Sequence, residues 1–368
     1  MEMGVHRLSN LRGNEKIRNS KSMKDKKFLF APIVFLVVLF AFDKIFLLDF
    51  FQTKFIQPGN AIFYHHRKVL MKRMLESDVV KDHSKNIAIA LGDSRAYPFS
   101  EPGLPEAEKK NWVVYNFAAP QAVPMYAYMQ YERMVDAGFV PDMVYFAVSP
   151  EAFDDSKGMI YDPFMRLGMD EKFYKDYADL IPWKARYDYW IGKAFAFKDM
   201  QIEFKTFLDR FKSKRMQEYD PDFNEDMMVL NFGKGEYLGY ATLSNNEKKL
   251  KKDAARIKNI YLSNFQLADT QFIFVEKLLK LAESNGTKVY IVWPRVYDDY
   301  RNAYYELGIE KTWWQKIVDL SQAHKATAID FNKESSCEFF NDASHQSVQC
   351  FLEQMDLIFK SYNKDTKL

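Results

Sequence analysis

Ser94, Asp342 and His345 are the residues whose types and spacing can support nucleophilic catalysis. Ser94 lies in LGDSRAYPFS, residues 91–100, and the other two lie in FFNDASHQSVQC, residues 339–350. A serine hydroxyl becomes a useful nucleophile only when a neighbouring base takes its proton. A histidine base works best when a carboxylate orients its second ring nitrogen. Asp342 and His345 are three positions apart, so one loop can bring the carboxylate to one imidazole nitrogen and leave the other facing a crevice. Each motif alone has a plainer reading. Gly-Asp-Ser also describes an ordinary helix cap, and Asp342 or Ser344 equally suits capping a following helix. Taken together, they predict a Ser94–His345–Asp342 catalytic set.

Such a set needs elements to position it. NIAIAL, residues 86–91, is a short continuous apolar run ended by Gly92, as expected of a strand buried on both faces of a parallel sheet. WVVYNF (112–117), MVYFAVS (143–149), TKVYIVWP (287–294) and ATAIDF (326–331) supply further strands. Helical spacing runs over 121–137 and stops at Gly138, and again over 270–284 and 313–324. The alternation predicts an α/β fold with a doubly wound parallel sheet. In such sheets ligands sit beyond the C-terminal strand ends, which is where Ser94 falls. Residues 154–265 lack clear strands and are rich in Tyr, Phe and Lys, so they are expected to form a helical insertion whose aromatics serve packing.

The order Ser, Asp, His, together with the first strand and the final helix, resembles the SGNH (GDSL-like) hydrolase superfamily over roughly residues 86–150 and 287–360. The resemblance implies a three-layer α/β/α domain over 86–368 and serine-dependent acyl-ester chemistry. With an N-terminal anchor, the chain is similar to the cell-envelope branch, which includes the alginate O-acetyltransferases and the lipoteichoic-acid D-alanylation protein. The implied reaction is ester hydrolysis or O-acyl transfer on an envelope polysaccharide, glycolipid or lipid. A membrane-bound O-acyltransferase is an implied partner. The chain departs from the superfamily where a glycine amide and an asparagine side chain usually meet the oxyanion: here stand NFAAPQAVP and Ser149-Pro150-Glu151. The expected oxyanion donors are therefore the Ser94 amide, the Asn116 side chain and an amide near Ala119. The departure also supports a rival reading: a scaffold that binds a glycan or a membrane acyltransferase with weak turnover. Arg95 and Arg295 are candidate substrate-binding residues, with a salt bridge as the plainer role for Arg95.

The N-terminus carries Arg7, Arg12, Lys16, Arg18, Lys21, Lys24, Lys26 and Lys27, and an apolar run follows at once. Residues 28–48 cover about 30 Å as a helix, the thickness of a hydrocarbon core, with Asp43 and Lys44 near one interface. Between Asp49 and His66 the only Lys or Arg is Lys54. The asymmetry predicts a cytoplasmic tail over 1–27, a signal-anchor over 28–48, a stalk over 49–85 and an extracytoplasmic domain. Cys337 and Cys350 then face an oxidising compartment, as a disulfide or as two buried thiols. A net charge of +2 spreads evenly beyond the tail, so no nucleic-acid partner is expected. No His, Cys and carboxylate set has metal-ligand spacing, and no glycine loop suits a phosphate, so neither metal nor cofactor is expected.

Overall fold

The computed structural model describes residues 30–48, 60–200, 204–213, 230–231, 236–237, 244 and 246–365. The expected basic tail (1–27) and the first part of the expected stalk (49–59) lie outside the described residues. The chain is a mixed α/β fold built on a five-stranded, all-parallel sheet. Its strands are β1 (Asn86–Leu91), β2 (Trp112–Asn116), β3 (Met143–Ala147), β6 (Lys288–Trp293) and β7 (Thr327–Asp330), in the order β2-β1-β3-β6-β7. In register, Ala88 lies beside Met143, Met143 beside Lys288, and Tyr290 beside Thr327.

Successive residues of a strand point to opposite faces, and the sheet has a core on each. Ile87, Ile89, Leu91, Val144, Phe146, Val289 and Ile291 join one apolar cluster with residues of α3 (Pro124–Asp136), α7 (Thr270–Asn285) and α9 (Gln315–Ala323). Ala88, Ala90, Met143, Tyr145, Tyr290 and Val292 join the other, with Phe351, Met355 and Ile358 of α10 (Cys350–Asp365). This two-sided burial explains why the strands read as unbroken apolar runs. α3 begins with proline at a first-turn position, and α7 ends on Gly286 at φ 77°, a left-handed cap.

Two expectations need correction. The region read as a stalk contains α2 (Asn60–Glu76), which packs on the domain with Tyr64, Arg67, Leu70 and Met74 at 0–1 % exposure. Its polar composition concealed this. Arg67 Nε donates to the Ala118 carbonyl (2.7 Å), Tyr64 donates to Pro120 (3.1 Å), and Phe63 stacks on Tyr97. The insertion is mainly helical, but it also holds a two-residue antiparallel ladder between β4 (Leu230–Asn231) and β5 (Glu236–Tyr237).

The apolar N-terminal segment is helical over residues 30–45 (α1), about 24 Å of rise. Among the described residues, no helix is long and apolar enough to cross a membrane. Asp43 is buried and accepts the amide hydrogens of Ala196 (2.8 Å) and Phe197 (2.9 Å), while Lys44 donates to the Ala194 carbonyl (2.5 Å). The two charges that interrupt the apolar run thus meet partners from the insertion.

Candidate active site

Strand order reverses at β1, with β2 on one side and β3 on the other, so a crevice opens beyond their C-terminal ends. Gly92 ends β1 at φ 129°, and a Cβ there would stand 2.3 Å from the Ala147 carbonyl oxygen. Only glycine permits this close approach of the two strand ends. Gly92→Ala is expected to lower the unfolding free energy by about 2 kcal/mol or more, read from denaturant unfolding followed by circular dichroism. Asp93 follows and fastens the strands: it accepts from the Arg95 amide (2.9 Å) and from the Ser149 hydroxyl at the end of β3 (2.5 Å). Ser94 then opens a short 3-10 turn, Ser94–Ala96, with its side chain half-buried at the crevice.

From 251 positions away, His345 brings Nε2 to 2.8 Å from Ser94 Oγ. Its Nδ1 lies 2.9 Å from each Asp342 carboxylate oxygen. With the proton on Nδ1, the ring donates to Asp342 and accepts from the Ser94 hydroxyl. Asp342 also accepts from the Ser344 amide (2.8 Å), the Ser344 hydroxyl (3.0 Å) and the His345 amide (3.0 Å). Burial acts to raise the Asp342 pKa, but the adjacent His345 and these donors outweigh it and hold the carboxyl well below its usual range.

Cys337 and Cys350 are joined in a disulfide, with Cα atoms 5.4 Å apart, across the loop that carries Asp342 and His345. Closing a loop of this length contributes about 3 kcal/mol in the chain-entropy account. Cys350→Ser is expected to lower the unfolding free energy by roughly that amount. Wild type unfolded under reducing conditions should show the same loss.

The two proposed auxiliary oxyanion donors are engaged elsewhere. Asn116 is fully buried; its Nδ2 donates to the carbonyls of Ala96, Tyr97 and Phe99, and its Oδ1 accepts from the Ala118 amide. It shapes the segment after Ser94 rather than facing the crevice. The Ala119 amide donates to the Gly92 carbonyl (3.1 Å). The Ser94 amide has no hydrogen-bond acceptor among the described residues.

Of the two arginines, Arg95 takes the expected salt-bridge role, and Arg295 is not among the residues that line the crevice. Arg95 does reach the crevice wall, but it is buried in a two-pronged pair with Glu151, NH1–Oε2 3.2 Å and NH2–Oε1 2.9 Å. Arg295 is buried, donating to the Ser335 carbonyl and pairing with Asp298 (3.6 Å) and Glu338 (3.7 Å). It braces the segment leading to the Asp342 loop.

Sequence reasoning missed the network behind the serine. Tyr300 and Tyr304, one turn apart on α8 (Asp298–Glu306), both donate to Glu151 Oε1, at 2.5 and 2.6 Å. Burial and the Glu151 charge push both phenols well above their usual pKa, so they stay protonated as donors. The available signal was Glu151 at the strand end opposite Arg95. Also missed was the wall over the crevice, where Gln121, Met159, Ile257 and Tyr261 enclose about 70 Å³ with Ser94 and His345. That exceeds two water volumes, enough for a carbonyl group and its substituents. Among the described residues, no group of His, Cys, Asp and Glu is arranged to hold a metal ion.

A family profile matches residues 23–362, taking in both motifs and the apolar N-terminal segment. The chain belongs to the DUF1574 family. That family is described as a protein of unknown function. No curated protein and no solved structure matches this DUF1574 chain.

Proposed function

We propose that this chain is a serine-dependent acyl-ester hydrolase or O-acyltransferase acting on a cell-envelope glycan or lipid. The observation that carries the reading is the meeting of Ser94, His345 and Asp342 at the sheet's reversal point, within hydrogen-bond reach of one another. Side chains so far apart in sequence converge with nucleophile–base–carboxylate geometry only where the fold brings them together. The all-parallel sheet, the serine after its first strand and the Asp-x-x-His loop before its last helix support SGNH-like membership.

In the proposed cycle, Ser94 Oγ attacks the ester carbonyl carbon while His345 Nε2 takes its proton. Asp342 holds the ring and balances its charge. The Ser94 amide faces the developing oxyanion. Collapse expels the alcohol, protonated by His345, and leaves the acyl group on Ser94. Water or a sugar hydroxyl, deprotonated by His345, then releases it. The test is labelling of the full-length, detergent-purified chain by a fluorophosphonate. Labelling that heat denaturation abolishes is expected. A folded chain that stays unlabelled, and that hydrolyses no activated acyl ester, would sink the enzyme reading.

One observation favours the second reading, a scaffold that binds a glycan or a membrane acyltransferase with little turnover. With Asn116 and Ala119 engaged, only one amide is assigned to the oxyanion, and losing one donor costs about 100- to 1000-fold in rate. Glycan retention by an unlabelled, folded chain would support it.

The reading also places residues 28–48 as a membrane anchor, 1–27 in the cytoplasm and the domain outside. The basic tail before the apolar run supports this, as does the apolar side-chain surface of α1, exposed from Phe30 through Phe40. Topology reporters fused at residues 15 and 340 should give opposite signals.

A further inference from the structure

The insertion carries two helices with an apolar face turned outward. On α4 (Trp183–Ala194), Trp183, Tyr187 and Trp190 are 72, 55 and 55 % exposed. They stand at i, i+4 and i+7, so they share one face. The opposite face is already packed: Ala185, Tyr189 and Gly192 are buried, with Tyr189 stacked on Tyr174. On α5 (Phe204–Ser213), Phe204, Leu208 and Phe211 repeat the spacing and are 52, 49 and 66 % exposed. A helix in a soluble fold turns such a face inward. Two helices of one insertion that present it outward mark a surface meant to be covered.

The charge around these helices indicates what covers it. Residues 183–213 hold seven Lys or Arg against four Asp or Glu. Apolar aromatics bordered by basic side chains suit the headgroup layer of an anionic bilayer. The decisive link is to the apolar helix. Asp43 and Lys44, the charges at its C-terminal end, bond to the backbone of Ala194, Ala196 and Phe197, directly after α4. Phe40 meets Phe195 and Phe46 meets Phe197. If the apolar residues before Asp43 enter the hydrocarbon, Asp43 marks its boundary, and residues 194–197 at the end of α4 lie at that depth.

We propose that α4 and α5 form an interfacial seat. Trp183, Tyr187, Trp190, Phe204, Leu208 and Phe211 would lie in the headgroup layer beside the anchor and fix the domain's orientation on the lipid surface. This rests on the reading of residues 28–48 as an anchor and is independent of catalysis.

The test is nitroxide labelling of single cysteines in the full-length chain, reconstituted into phosphatidylcholine–phosphatidylglycerol vesicles. Leu36→Cys reports the anchor, Tyr187→Cys and Leu208→Cys the seat, and Asp319→Cys an exposed reference. Collision with oxygen against collision with a water-soluble nickel chelate gives depth. The expected result is a severalfold higher oxygen-to-nickel ratio at 187 and 208 than at 319, and a higher one still at 36. Lipid contact at 36 with water-like ratios at 187 and 208 overturns the seat while leaving the anchor standing, and frees the face for a protein partner. A water-like ratio at 36 defeats the anchor reading itself. Dipolar broadening at 187 and 208, relieved by diluting labelled with unlabelled chain, would mean a second copy covers the face, and also overturns the proposal.

Discussion

Ser94→Ala is expected to abolish fluorophosphonate labelling and lower acyl-ester turnover by about 10⁴-fold or more, with no loss of fold. The nucleophile is the one group whose removal leaves nothing to carry the acyl intermediate. Its half-exposed hydroxyl makes one hydrogen bond, to His345, so alanine disturbs little packing. His345→Ala should fall nearly as far, because Ser94 then has no base. Asp342→Ala should cost less in rate, since water can replace part of an orienting carboxylate, and Ser344 Oγ already stands 3.0 Å from the same ring nitrogen. The order Ser94, then His345, then Asp342 is the signature of a working set. Equal, small losses at all three would point to background hydrolysis by the surface and remove the catalytic assignment.

The strands were readable in the sequence for a physical reason. After the exposed Asn86, NIAIAL is buried on both faces of the sheet, as is MVYFA, so each run stands out as apolar against its neighbours. The meeting of Ser94, Asp342 and His345 was readable because Gly-Asp-Ser follows a strand and Asp-x-x-His precedes the last helix. Helix α2 was misread because its burial depends on distant partners. Arg67 and Tyr64 look solvent-facing until the backbone of residues 118–120 arrives to accept from them. The oxyanion donors failed likewise. Asn116 and Ala119 are placed correctly near the strand end, but local sequence cannot show that residues 92 and 96–99 return to occupy their hydrogen bonds. Arg95 pairs with an acid as expected, Glu151, while the crevice role expected of Arg295 gave way to Asp298 and Glu338. Long-range polar pairing is what a single sequence hides, and in this fold it decides the surroundings of Ser94.

Glu151→Gln is expected to destabilise the folded chain by about 3 kcal/mol at neutral pH and to slacken the turn that holds Ser94. Glu151 is 2 % exposed, and its carboxylate takes two bonds from the adjacent Arg95 and one from each of two tyrosines. The amide keeps the shape but leaves the buried guanidinium with only the more distant Asp93 carboxylate, at 3.7 Å, as counter-charge. Burial acts to raise the Glu151 pKa, yet Arg95 and the tyrosine donors outweigh it, so the group sits below its ordinary 4.5. The sign follows from linkage. A carboxyl with a depressed folded pKa gives its full stabilisation above the unfolded value, and loses it as pH falls from there through the folded one. Wild-type stability should therefore decline below about pH 4.5, and Glu151→Gln should show a shallower decline, with Asp342 and other carboxyls held low by partners, Asp170 and Glu353 among them, supplying the remainder. Urea unfolding at several pH values measures both. Replacing the pair together, Arg95→Met with Glu151→Leu, should recover part of the stability, since it removes the stranded guanidinium while Asp93 and the two tyrosine hydroxyls lose a partner. A Glu151→Gln chain with wild-type stability and wild-type acid slope would show that this network does not hold the serine's turn in place.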